Sequence, residues 1–205
     1  MVQMVGLKEV RDLIGYVGTQ APEVLAKTLN NLAFSTRDYL TGTMPQYIDR
    51  PNPFTMRALA VTKADKGKLQ SRVYVRPTQA SYLVWQIEGG IEYPAKRALV
   101  IPWSVKRNRY GNMPSGKVQQ LLGTAGVFSA TIRGVPGIWQ RSQETFQAGG
   151  TTNIVGGRVQ LMVAYEPKAS YSPRWPMLDI GKDWAGLRLN AAAAEALDRV
   201  IFKNK

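Results

Sequence analysis

Neither cysteine nor histidine occurs anywhere in this 205-residue chain, and the double absence narrows both what can hold the chain together and what it can do. No disulfide framework and no cysteine- or histidine-based zinc site is available as a staple. The fold must therefore rest on a packed apolar core. The sequence can supply one: 44% of its residues are hydrophobic, close to the globular average, and a chain of this length buries roughly 70% of the surface it exposes when unfolded. The same absence removes the thiol nucleophile, the Ser-His-Asp relay, the imidazole base and the HExxH metal site.

Charge gives the next constraint. There are 27 Lys and Arg against 14 Asp and Glu, a net of +13, which favours nucleic acid, anionic lipid or an acidic protein surface as partner. The excess is local. Residues 1–50 are balanced, residues 51–152 carry +10 and residues 153–205 carry +3. The N-terminal residues Met1 to Glu9 show no basic leader before an apolar run, so no signal peptide is expected. No stretch reaches the roughly 18 apolar residues of a membrane span, and a soluble, intracellular chain is expected.

Periodicity sets out the elements. Val10, Leu13, Ile14 and Val17 suit one face of a short helix over 2–17. A break is expected at Gly18-Thr19, with a second helix starting at Ala21-Pro22-Glu23 and running through Leu25, Leu29, Leu32 and Leu40 to about Thr41. Residues 54–64 and 69–76 read as a β-hairpin around Asp65-Lys66-Gly67, with Arg72-Val73-Tyr74-Val75-Arg76 alternating strictly. A helix from Thr78 ends at Gly89-Gly90, and Ala98 to Trp103 is a short strand whose Pro102 favours an edge or an end. After a basic loop over 104–117 come a short helix through Val118, Leu121 and Leu122, then strands over 127–133, 137–141 and 153–165. Gln143 to Asn153, with Gly149 and Gly150, reads as a mobile loop. Ile180, Trp184, Leu187, Ala191, Ala194, Leu197 and Ile201 recur at the spacing of a C-terminal helix. The sum is one α+β domain over 1–205, a mainly antiparallel sheet packed by long N-terminal and C-terminal helices. Its parts are a helical segment (1–50), a basic β-rich region (51–165) and the C-terminal helix (176–205).

The motifs point away from catalysis. Gly111 to Lys117 satisfies the spacing of a phosphate-binding loop, but Val118 stands where a magnesium-binding hydroxyl is needed, Pro114 removes a donor, and no buried strand precedes it. A glycine-rich turn before a helix is the simpler reading. Two acidic pairs are candidates for carboxylate chemistry, Glu88 with Glu92 and Asp179 with Asp183; the second is accounted for by the dipole of the C-terminal helix. The five tryptophans read as core or interface residues. No enzyme, cofactor or metal centre is expected. Lys106, Arg107 and Arg109 with Tyr110 form a candidate anion contact, able to hold phosphates and stack on a base, or to meet carboxylates of a partner protein. Lys63, Lys66 and Lys68 form a second basic group at the expected hairpin tip.

The run Asn108-Arg109-Tyr110-Gly111-Asn112-Met113-Pro114-Ser115-Gly116, preceded by Lys96 to Pro102, resembles the N-[KR]-Y-G-N-[LM]-P-x-G turn of the tailed-phage minor tail protein Z, or tail completion, family and its head–tail joining relatives. The resemblance is local, over about 96–122, and the flanking helices and strands suit the family across most of the chain. It implies a non-enzymatic virion protein of the neck, assembled in the host cytoplasm. Such a protein would form a homo-oligomeric ring, contacting other neck, connector or tail proteins and packaged DNA, with no membrane. Lys106, Arg107, Arg109, Tyr110, Asn112 and Lys117 are then the expected interface or DNA-channel contacts. Gln143, Gly149, Gly150 and Asn153 fall in a segment outside the family pattern and form a candidate assembly arm. A stand-alone nucleic-acid-binding module using the same basic loop is the alternative.

Overall fold

The computed structural model describes residues 7–148 and 151–202. The fold is α+β, and the chain forms two compact units, the first from the residues up to Ile87 together with those from Arg174 onward, the second from Glu88–Pro173. The buried side chains of the two units gather into two separate clusters. Among the described residues no helix is long and apolar enough to cross a membrane.

The first unit holds α1 (Leu7–Tyr47), α2 (Pro53–Met56), the antiparallel pair β1 (Leu59–Thr62) and β2 (Arg72–Val75), α3 (Pro77–Ile87) and α5 (Met177–Leu197). A short π-turn over Asp198–Phe202 follows α5. The break expected at Gly18-Thr19 and the stop at Gly42 do not occur; Val2 to Gly6, where the first helix was expected to begin, lie outside the described residues. Pro22 and Pro45 each remove one backbone donor, but proline's fixed φ is itself helical, so the path can continue. At the C-terminal end, packing decides the matter. Met44 is fully buried beside Leu40, and Tyr47 and Ile48 pack on the same cluster, so ending the helix at Gly42 would expose the side chains that close the core. Trp184 of α5 locks onto α1 by stacking on Tyr39 and donating its indole N–H to Ser35 Oγ at 2.9 Å.

The expected hairpin forms, with Leu59 opposite Val75 and Thr62 opposite Arg72. Asp65 Oδ1 accepts the N–H groups of Gly67 and Lys68, both at 2.8 Å, the turn chemistry expected of it. Residues 54–56, expected to begin a strand, instead belong to the helical turn Pro53–Met56 because Asn52 caps it, its Oδ1 accepting the Thr55 N–H.

In the second unit, β3 (Gly90–Glu92) pairs with β8 (Ala169–Tyr171), two three-residue strands not expected from the sequence. A four-stranded antiparallel sheet runs in the order β4 (Leu99–Pro102), β7 (Thr151–Glu166), β6 (Val135–Ala148), β5 (Val127–Ile132). Pro102 therefore sits on an edge strand, where a missing donor is tolerated. The loop expected over 143–153 is corrected: Gln143 to Ala148 continue β6 and Thr151 to Asn153 begin β7, paired from Gln143 opposite Gly156 to Ala148 opposite Thr151. Gly149 and Gly150 lie outside the described residues. β-Formers among 144–155, Thr, Phe, Val and Ile, carry the ladder through a stretch whose Gln and Gly content reads as loop. Short α4 (Lys117–Leu122) and the segment before it cover one face, where Val105 and Leu121 pack with Ile138 and Val163.

Candidate functional site

The basic loop of the second unit is a built structure, and its motif residues are the ones that build it. Asn108 Oδ1 accepts the N–H groups of Tyr110 (2.9 Å) and Asn112 (3.0 Å). The Asn108 backbone N–H donates to the Asn112 carbonyl at 2.8 Å, and Gly111 N–H to the Asn108 carbonyl at 2.9 Å. Gly111 has φ +79° and Gly116 φ +74°, a region that glycine enters at little cost. Val105 at the start, Met113 in the middle and Val118 and Leu121 at the end face the apolar cluster. Apolar side chains thus pin the loop from within.

What the loop displays is charge. Lys106, Arg107, Arg109 and Asn112 are exposed, and Tyr110 and Lys117 half-buried. Arg107 donates to the Pro102 carbonyl at 2.6 Å, on the edge strand. The Arg109 guanidinium lies over the Tyr110 ring, 4.7 Å from its centroid, and Lys117 Nζ donates to Gln120 Oε1 at 2.9 Å. Among the described residues no ion pair engages a cation of the second unit, whereas those of the first include Lys27 and Lys66 on Glu23. An uncompensated set of side chains, held by a rigid loop, is available to an external anion.

The same geometry bears on the phosphate-binding-loop reading. The N–H groups of Tyr110, Gly111 and Asn112 are all taken by Asn108, and that of Lys117 by the Pro114 carbonyl at 3.2 Å. A phosphate cradle needs such donors free and convergent; these are neither.

Of the other sequence candidates, the hairpin-tip lysines are partly spent. Lys66 bridges to Glu23 at 2.9 Å, and Lys63 sits over the Phe34 ring. The Lys66 and Lys27 ammonium groups hold the Glu23 carboxyl below the usual carboxylate range. Glu92 accepts the Tyr171 hydroxyl at 2.8 Å; burial first, and then this bond to Glu92, pushes the Tyr171 phenol up. Asp179 lies in the first turn of α5, as the dipole account expects. Among the described residues no cluster of three or more carboxylates could hold a metal ion. Gln143 and Asn153 are placed in strands β6 and β7.

Two features were not found from sequence. Trp103, expected in a core or an interface, is 69% exposed. A groove of about 660 Å³ is lined by Ala98, Val100, Val118, Ser129 and Tyr165 together with Lys96 and Arg97. The only sequence signal for that groove was a basic dipeptide directly before an apolar strand.

Asn108→Ala should remove two side-chain hydrogen bonds and so loosen the loop by about 1–2 kcal/mol, while leaving every cation in place. The expected result is faster amide exchange at Tyr110 and Asn112 with little change in global melting. Unchanged exchange at these two amides would count against Asn108 as the loop's organiser.

No protein-family model, no curated protein and no solved structure matches the chain.

Proposed function

We propose that this protein is a structural, non-enzymatic component of a tailed-phage neck, a tail completion or head–tail joining subunit that assembles as a ring around the DNA channel. One observation carries the reading: the Asn108–Gly116 turn, whose spelling resembles that family's, is a rigid mount for Lys106, Arg107 and Arg109, cations without acidic partners among the described residues. Such a mount suits contact with DNA phosphates, where attraction without base readout lets the duplex slide, or with the acidic face of a neighbouring ring, where complementary charge sets register. The exposed Trp103 nearby in the chain suits a protein contact.

The second reading, a stand-alone nucleic-acid-binding module, draws on the same cations. Replacing Lys106, Arg107 and Arg109 together by alanine separates the two. On the neck reading, native mass measurement gives a ring or a partner-dependent oligomer for the unaltered protein, and the triple variant fails to join heads to tails. A strictly monomeric protein that is absent from purified virions would defeat it. On the module reading, the triple variant flattens the salt dependence of DNA binding; intact DNA affinity with failed assembly sinks that alternative.

A further inference from the structure

The strict alternation of Arg72, Val73, Tyr74, Val75 and Arg76 plays no part in the neck reading, yet the first unit gives it a definite use. Val73 and Val75 pack against the core cluster, while Arg72, Tyr74 and Arg76 are exposed on the other face of β2. Successive residues on that face stand about 6.7 Å apart, two strand steps. At one end of the stripe is an open cleft of about 570 Å³ lined by Phe54, Arg57, Tyr74 and Arg76, and by Pro77, Thr78 and Gln79 of α3. Arg57 is brought beside Arg76 because the Arg76 N–H donates to the carbonyl of Ala58 at 2.8 Å. No acidic residue lines the cleft. Among the described residues the Arg57, Arg72 and Arg76 guanidinium groups make no ion pair, side-chain hydrogen bond or ring contact, and both aromatic rings are open to solvent, Phe54 at 47% and Tyr74 at 38% exposure.

From this arrangement we infer that the cleft and the adjoining face of β2 bind single-stranded nucleic acid. One unpaired base enters the cleft against Phe54 and Tyr74, its phosphate meets Arg57 and Arg76, and a phosphate two steps further along the strand meets Arg72. Guanidinium groups suit phosphate because they present several donors in a fixed plane. Exposed rings flanking a polar cleft are costly to leave in water and suit a base, which stacks on either face without regard to sequence. A duplex fits less well, since its bases are already stacked and paired. The inference stands on the first unit alone and does not depend on the neck reading or on the loop over 104–117.

The test is the binding of a fluorescent oligothymidylate to the full chain, followed by anisotropy at several salt concentrations. Arg57→Ala with Arg76→Ala is expected to weaken binding and to lower the slope of log affinity on log salt by about 0.7 for each phosphate left without its guanidinium. Tyr74→Ala and Phe54→Ala are each expected to weaken it about tenfold. All the altered side chains are exposed, so thermal melting should be unchanged; if the double arginine variant does not fold, Arg57→Gln and Arg76→Gln taken singly carry the same test. Undiminished binding by the arginine variants overturns the inference, as does affinity indifferent to both Tyr74→Ala and Phe54→Ala. Equal or tighter binding of the matching duplex overturns it too.

Discussion

Trp175→Ala is expected to cost the first unit about 3–5 kcal/mol, the range for deleting a large aromatic from a closed core. Trp175 is fully buried in the cluster that also holds Leu40, Met44, Ala58, Leu59 and Leu83. It therefore touches α1, β1 and α3 at once and fixes the chain where it enters α5. Its backbone is tied as well: the Arg174 and Trp175 N–H groups both donate to the Gln86 carbonyl at 2.8 Å. The surroundings cannot collapse into the space without parting these elements. The indole N–H itself has no hydrogen-bond partner among the described residues, and an unpaired buried donor is a burden of about 1–3 kcal/mol. Trp175→Phe keeps most of the apolar volume and removes that burden, so it should cost far less than the alanine change. Denaturant midpoints at constant m-value would show the ordering, and amide exchange should quicken in the C-terminal half of α1 and in α3. Equal losses for alanine and phenylalanine would contradict this account.

How much of this was legible in the sequence follows from where each signal resides. Elements specified by local chemistry were readable. Asp65 writes its own turn, Gly89-Gly90 ends α3, and Pro102 marks an edge. Elements decided by distant packing were not. Gly18, Pro22, Gly42 and Pro45 look like punctuation over a short window, and it is the burial of Leu40 and Met44 in a core shared with α3 and Trp175 that carries α1 through the last two. The three-residue strands β3 and β8 are too short for periodicity, and their partners lie almost eighty residues apart in the chain. In β6 and β7, bulges between Ile138 and Trp139 and between Arg141 and Gln143 reset the alternation, so one long hairpin reads as separate strands and a loop.

The site divides in the same way. The turn at 108–116 could be picked out because its residues make the turn, asparagine as acceptor and glycines at positive φ. That its cations lack acidic partners among the described residues could not, because pairing depends on which acids come near in space. Nor could sequence show that Arg57 stands beside the β2 stripe, since a backbone bond across the hairpin joins those positions.

Gly137→Ala should be a damaging small change in the second unit, costing about 3 kcal/mol, the upper end of the overpacking range. Gly137 lies in β6, an inner strand, opposite Ala164 of β7 and Ala130 of β5. A Cβ there would press on the Val163 backbone carbonyl, closer than carbon and oxygen can approach, and stand 2.9 Å from Leu161 Cδ1. Leu161 can turn aside, but the Val163 carbonyl cannot without parting β6 from β7. Its neighbours Ile138 and Val163 are fully buried and form the platform on which Val105 and Leu121 seat the basic loop. Damage at Gly137 should therefore reach Lys106, Arg107 and Arg109 with no charge altered. Gly134→Ala is the control for glycine loss alone. It carries a positive-φ penalty that Gly137→Ala does not, yet has nothing within 4 Å of the added carbon, so its strain stays in the β5–β6 turn. If particle joining depends on the loop's geometry as well as its charge, Gly137→Ala abolishes it at temperatures where Gly134→Ala still supports it. Amide exchange in β6 and β7 should rise in the first variant only. Equal behaviour of the two variants would mean that the sheet beneath the loop has no part in holding it.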